Sequence, residues 1–135
     1  GVMLTPHVMK EVRDDKGTVT RTYKPTPWRS AVGRATAETM REAMIGVVEG
    51  GTGSAARISG LEVGGKTGTA QLGTSPPSSH AWFVCFAGNP GEPPSIAVAV
   101  LVEGKPGVSE TTGGTVAAPI ARQIIEQALT ASPGG

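Results

Sequence analysis

The chain has 135 residues, 38% of them apolar and 17% charged, with a net charge of +1. That balance argues against intrinsic disorder and against a surface that steers nucleic acid, and the length fits one domain or a piece of one. The 20 glycines and 11 prolines imply many turns and short elements, and the single cysteine excludes an internal disulfide.

Val2, Met3 and Leu4 read as the end of an element whose beginning lies elsewhere. His7 to Arg13 alternates loosely and predicts a strand. Asp14-Asp15-Lys16-Gly17 predicts a turn, and Thr18 to Tyr23, β-branched and alternating, predicts the second strand of a hairpin. His7 has no second histidine, cysteine or carboxylate cluster beside it and reads as a surface residue. Lys24-Pro25-Thr26-Pro27-Trp28 reads as an extended linker, since each proline restrains the residue before it, with Trp28 anchoring it. Thr36 is a candidate N-cap. Ala37, Met40, Met44, Val47 and Val48 then recur at helical spacing, and Gly50-Gly51 ends the helix. Thr52 to Ala56 is small and polar, suited to a tight loop or a short helix.

The next stretch, Val63-Gly64-Gly65-Lys66-Thr67-Gly68-Thr69-Ala70-Gln71, is the most distinctive in the chain. Its β-branched threonines favour a strand, and its glycines let another group approach the backbone. Alternation puts Thr67 and Thr69 on one face and Lys66 and Gly68 on the other. The glycines place this strand at or near a sheet edge. For the Lys-Thr-Gly tripeptide alone, a Gly-rich turn bearing a solvated lysine is the simpler reading.

Gly73 to Ser79 predicts a flexible connection. His80 to Ala87 predicts an apolar strand, Asn89 to Pro94 a turn, and Ile96 to Val102 a strand covered on both faces. Lys105 to Gly114 reads as a polar loop and Val116 to Leu129 as a helix, with Pro119 in its first turn and a stripe of Ala117, Ile120, Ile124, Ile125, Ala128 and Leu129. Thr130 to Gly135 reads as a frayed tail. Consecutive strands with short links followed by a helix predict an α+β fold, an antiparallel sheet covered by helices, over residues 1–135. No apolar run reaches the ~20 residues of a spanning helix, so any membrane anchor is expected outside this chain.

Two motifs overlap at the lysine. Gly60 to Thr67 fits the spacing of a phosphate-binding loop. Such a loop must follow a buried strand and open a helix. Gly68, Gly73, Pro76 and Pro77 leave no room for a helix after Thr67, and Arg57-Ile58-Ser59 is too polar and short for the strand before it. The other motif is Lys66-Thr67-Gly68-Thr69-Ala70-Gln71, which resembles the third motif of penicillin-binding proteins. Flanking stretches agree with that resemblance: Thr39 to Val48 with Gly51-Thr52-Gly53 before it, His80-Ala81-Trp82-Phe83 after it, and Ala117 to Ala121 at the closing helix. The continuation Thr69-Ala70-Gln71 is most like the class B, transpeptidase-only members, of an actinobacterial type. Cys85 departs from the pattern, where relatives often have glycine, and is expected to be a buried, inert thiol.

The resemblance implies a peptidoglycan D,D-transpeptidase that is a β-lactam target, with the catalytic fold of penicillin-binding proteins and serine β-lactamases. No serine here is followed three residues later by lysine, and no Ser-x-Asn or Ser-x-Asp occurs. The nucleophile and second serine motif are therefore expected upstream, in the portion of the domain that partners this one. Ser54 and Ser79 read as loop residues. The roles implied here are Lys66 as the charge and proton relay and the Thr69 backbone N–H as an oxyanion donor. Thr67 and Thr69 hydroxyls would hold the carboxylate of a D-Ala–D-Ala stem peptide or β-lactam, with Gly68 giving the acyl chain room. No cofactor, metal or nucleic acid is implied, and the location implied is the extracytoplasmic face of the bacterial membrane. A β-lactam sensor or serine β-lactamase, and a non-catalytic binding module, remain as alternatives.

Overall fold

The structure, a computed structural model, describes residues 1–76, 78–105 and 112–130. It divides into two compact units, Gly1–Thr39 and Met40–Gly135. Most of the expected 105–114 loop and the tail beyond residue 130 lie outside the described residues.

In the first unit, β1 (Val2–Leu4) pairs antiparallel with β4 (Pro27–Ser30), and β2 (Glu11–Arg13) pairs with β3 (Val19–Thr22). The expected hairpin is the β2–β3 pair. Its turn is closed by the Asp14 carboxylate, which accepts from the amides of Lys16 at 3.0 Å and Thr18 at 2.8 Å. Gly17 supplies the left-handed conformation there, with φ +82°. The 24–28 stretch is a correction: its end is strand β4, not linker. Proline is tolerated at a strand's first residue, where a missing donor costs little. Trp28 is exposed instead of anchored, with the Arg29 guanidinium 5.1 Å from its ring centroid. His7 is on the surface, its Nδ1 2.8 Å from the Met9 carbonyl oxygen.

Helix α1 (Arg34–Glu49) starts two residues before the expected Thr36 cap. The Ala37 amide already bonds to the Gly33 carbonyl at 3.0 Å, and Arg34 pairs with Glu38 one turn on. It stops at the glycines as expected. The amides of Gly50 and Gly51 donate to Gly46 and Val47 carbonyls, and Gly53 also donates to Val47. A single 3-10 turn, Ser54–Ala56, follows.

The second unit is built on an antiparallel sheet of order β5–β6–β7: Glu62–Gln71, Ser79–Gly88 and Ile96–Val102. The β5–β6 register is unbroken from Glu62 opposite Gly88 to Gln71 opposite Ser79. β5 is an edge, as its glycines predict. Along β6, Ala81, Phe83, Cys85 and Ala87 are buried, whereas Trp82 and Val84 are exposed. Strand β7 alternates likewise, with Val100 buried and Ala97, Ala99 and Leu101 exposed. Its expected two-sided cover is therefore corrected: one face carries the core and the other is bare.

Helix α2 (Ala118–Thr130) covers that core face, packing on β7 and on the Ser54–Ala56 turn. A π-helical turn, Gly113–Ala117, leads into it and is capped by Thr112, whose hydroxyl accepts from the Thr115 amide. The buried residues are Ala117, Ala118, Ala121 and Ile125, while Ile120 and Ile124 of the expected stripe face outward. Arg41 of α1 forms an ion pair with Glu62 at the head of β5 and donates to the Glu92 carbonyl at 2.7 Å. The whole is α+β, and no helix among the described residues is long and apolar enough to cross a membrane.

Among the described residues, Phe83, Ile125 and Val48 are the largest fully buried side chains. A Cβ at Gly65 would come 2.4 Å from Phe83 Cζ, and one at Gly64 2.3 Å from Phe86 Cζ on the opposite face. Phe83 has nowhere to go, whereas the half-buried Phe86 can swing outward. Gly65→Ala is therefore expected to lower stability by about 1–3 kcal/mol, and Gly64→Ala clearly less, in denaturant titration. Cys85 is buried as expected, and loss of hydration pushes its thiol up from 9.0 to about 11. The folded chain should resist a thiol reagent at pH 8 and react once unfolded. The unfolded chain loses its thiol proton first, so this contribution is intact below about pH 9, is lost towards about 11, and levels off above. Cys85→Ala should flatten the slope in that window.

Candidate functional site

The Lys66–Thr69 segment lies in the exposed half of an edge strand. Val63, Gly64 and Gly65 are buried, Thr67 and Gly68 are half-buried, and Lys66 and Thr69 are exposed. The strand period separates these residues as expected. Thr67 lies opposite Phe83 and Thr69 opposite Ala81, so both share the face that carries the core. Lys66 lies opposite Val84 and Gly68 opposite Trp82, on the bare face.

On the core face, the sheet ends in an open groove of about 720 Å³. Thr67 and Thr69 form one side. Gly51, Thr52, Ser54 and Ala55 form the second, and Thr112 to Thr115 the third. The described lining is rich in hydroxyls and includes no charged side chain. Thr67 Oγ1 lies 2.8 Å from Thr52 Oγ1, and Thr112 Oγ1 lies 3.0 Å from Thr115 Oγ1.

Glycines let these three segments meet. A Cβ at Gly113 would come 1.9 Å from the Trp82 carbonyl oxygen and 2.9 Å from the Gly68 nitrogen. One at Gly114 would come 2.1 Å from the Thr52 carbonyl oxygen, and one at Gly53 3.0 Å from the Phe83 ring. The capped turn before α2 is thus laid directly on the backbone of β5 and β6, next to Gly68.

Lys66 does not line this groove. Its ammonium donates to the Thr67 carbonyl oxygen at 2.5 Å on the bare face. The site is therefore split by the strand, with hydroxyls on one side and the cation on the other. Around the lysine, Trp82, Val84 and Leu101 are each about 40% exposed.

No helix opens after Thr67, because residues 62–71 are one strand, and the phosphate-loop spacing is coincidental. Ser54 sits in the 3-10 turn on the groove wall, and Ser79 is buried in β6, so neither is a loop residue. The thiol of Cys85 is too buried and too basic to serve as a nucleophile. Among the described residues no three His, Cys, Asp or Glu side chains cluster as a metal site. Sequence reasoning missed Thr112, Gly113 and Gly114, which it places in a polar loop, and Thr115, which it leaves between that loop and the helix. A threonine three residues before another, just ahead of an apolar helical run, was the available signal for the cap.

Comparison with known proteins identifies the family of the chain. Residues 1–126 match the family described as "Penicillin binding protein transpeptidase domain". The chain is 36% identical over 131 residues to peptidoglycan D,D-transpeptidase PbpA of Mycolicibacterium smegmatis, covering 96% of this chain and 26% of that protein. It thus spans about a quarter of the length of that relative. Among solved structures, penicillin-binding protein A from M. tuberculosis, as an imipenem acyl-enzyme complex, superposes with a TM-score of 0.74 at 35% identity. That match covers 96% of this chain and 27% of the other. The D,D-transpeptidase domain of a peptidoglycan glycosyltransferase from Eggerthella lenta matches with a TM-score of 0.75 at 33% identity, over 96% of this chain and 28% of that one.

Proposed function

The chain belongs to the transpeptidase-domain family of penicillin-binding proteins, and from that premise we propose that it supplies the Lys-Thr-Gly wall of a peptidoglycan D,D-transpeptidase active site. The observation that carries this reading is the edge position of β5, with Thr67 and Thr69 facing an open, hydroxyl-lined groove. An upstream portion of the same domain would bring the nucleophilic serine and its lysine base.

In this reading the serine oxygen attacks the carbonyl carbon of the D-Ala–D-Ala amide. The terminal D-Ala leaves as an amine after protonation, and the acyl group remains on serine. An amine of a neighbouring stem peptide then takes the acyl group and releases the serine. A β-lactam enters by the same attack, with its ring nitrogen as the leaving group that stays attached. Thr67 and Thr69 hydroxyls hold the carboxylate. The Thr69 N–H is half of the oxyanion hole, a contribution of about 3 kcal/mol in a comparable site. Gly68, with no Cβ, leaves room for the acyl chain along the strand, whose open edge can pair with it.

The split of the site suits a two-part domain. The bare sheet face around Lys66 exposes Trp82, Val84 and Leu101, and Met40 of α1 is also exposed. These surfaces are apolar enough to seat the nucleophile-bearing portion, which would meet Lys66 there and use its charge for proton relay. The protein would work at the extracytoplasmic face of the membrane, anchored by a segment outside this chain, with no cofactor.

Lys66→Ala in the full-length protein should slow acylation by a labelled penicillin at least a hundredfold (on the order of 3 kcal/mol of lost transition-state stabilisation). It should lower thermal stability far less than it slows acylation, because the Lys66 side chain packs against little in this sheet. Unfolding without a change in acylation rate would make the residue structural. The 135 residues alone should form no covalent adduct with a fluorescent penicillin in a gel assay. Labelling of the isolated chain would place the nucleophile among its own serines. Turnover of the β-lactam without cross-linking by the full-length protein would favour a β-lactamase relative.

A further inference from the structure

The Thr52 and Thr67 hydroxyl oxygens are 2.8 Å apart across the groove. A threonine hydroxyl has one proton and two acceptor positions. One proton therefore lies between the two oxygens, and the other is free to point elsewhere. Which threonine keeps the free proton decides what the groove can bind.

Thr52 is held from three directions. The Gly51 and Gly53 amides flanking it both donate to the Val47 carbonyl at the end of α1, at 3.1 and 3.0 Å. A Cβ at Gly51 would come 2.9 Å from that oxygen, so the chain passes the helix end closely. On its other side the Thr52 carbonyl rests against Gly114. Thr67, by contrast, is placed by its pairing with Phe83 in the sheet. The hydroxyl pair is thus a direct polar link between a fixed turn and the edge strand.

We propose that Thr52 is a positioning residue for ligand binding: it donates its proton to Thr67 Oγ1, which frees the Thr67 proton for an anionic oxygen in the groove. This rests on the reading of Thr67 as a carboxylate-binding residue. The ligand sets the direction. Once Thr67 donates to a carboxylate, its oxygen becomes a better acceptor, and the Thr52 proton strengthens the chain of bonds. In the opposite orientation Thr67 would present only lone pairs to the carboxylate, and the two would repel.

The test uses the full-length protein and measures acylation by benzylpenicillin and by its methyl ester, which lacks the anionic oxygen. Four variants are compared: Thr52→Val, Thr52→Ser, Thr67→Val and the double Thr52→Val/Thr67→Val. Thr52→Val should slow acylation by the free acid about tenfold, the scale of one hydrogen bond, and leave the slower ester reaction unchanged. Thr52→Ser should restore the rate, and Thr52→Val should add nothing in the Thr67→Val background. Equal slowing of acid and ester, failure of serine to restore, or losses that multiply in the double variant would each overturn the inference. Thr67→Val at the wild-type rate would overturn the reading of Thr67, and the inference with it. Thr67→Val impaired beside a Thr52→Val that behaves as wild type would overturn the inference alone.

Discussion

The ring of Phe83 fills the space that two glycines leave open. It is fully buried, its edge lies where a side chain at Gly65 would be, and it touches the position of a side chain at Gly53 as well. Strand β5 and the turn after α1 therefore close on the same ring. They form two of the three sides of the groove, so the groove's width is set by one aromatic side chain and the absence of two methyl groups. A packed interior transmits such a constraint without slack, because rings and backbone in contact leave little free volume. The third side, the Gly113–Ala117 turn, is fixed by the same logic, with Gly113 lying flat on the Trp82 carbonyl and the Gly68 nitrogen.

The period of the strand does the rest. With one face of β5–β6–β7 committed to Phe83, Cys85, Val100 and α2, every odd position of β5 from Val63 to Thr69 faces that side. The even positions face the other, where Trp82, Val84 and Leu101 stay exposed. A slip of one residue would bury Lys66 against Phe83 and expel both threonines from the groove. The buried apolar residues of β6 thus hold the candidate site residues of β5 in register, although none of them touches a ligand in the proposed site.

Much of this was legible from residues alone. The alternation of Thr67 and Thr69 against Lys66, the edge position of a glycine-rich strand, the β2–β3 hairpin and the glycine stop of α1 all follow from local rules. The failures have physical causes. β4 is extended whether or not it pairs, so prolines that suggested a linker did not exclude a strand. The stripe of α2 is only partly buried, with Ala117 and Ile125 in the core and Ile120 and Ile124 exposed, because apolar residues occupy more of the helix than the one sheet face covers. The cover of β7 was overestimated because a run of small and β-branched residues reads as buried on both sides. The groove's third side was invisible because its glycines matter only for what they approach, which is distant in sequence.

In the proposed site Lys66 is a cation that would serve a groove it does not line. The groove's described side chains are neutral, so an anion bound there gains hydrogen bonds but no direct charge partner. The Lys66 ammonium rests on the Thr67 carbonyl oxygen. That carbonyl shares its peptide plane with the Gly68 N–H, which points the opposite way. A positive charge on the oxygen draws electron density through the amide and makes the N–H a stronger donor. In the proposed site the charge would act on a bound anion through space, where the effective dielectric near a protein surface weakens it, and on the strand through the Gly68 amide, which points away from the edge that offers the Thr69 N–H. A strand with Lys-Thr-Gly in sequence presents three kinds of group at one point of its edge: a cation on one face, a hydroxyl on the other, and between them a peptide that no Cβ on Gly68 obstructs.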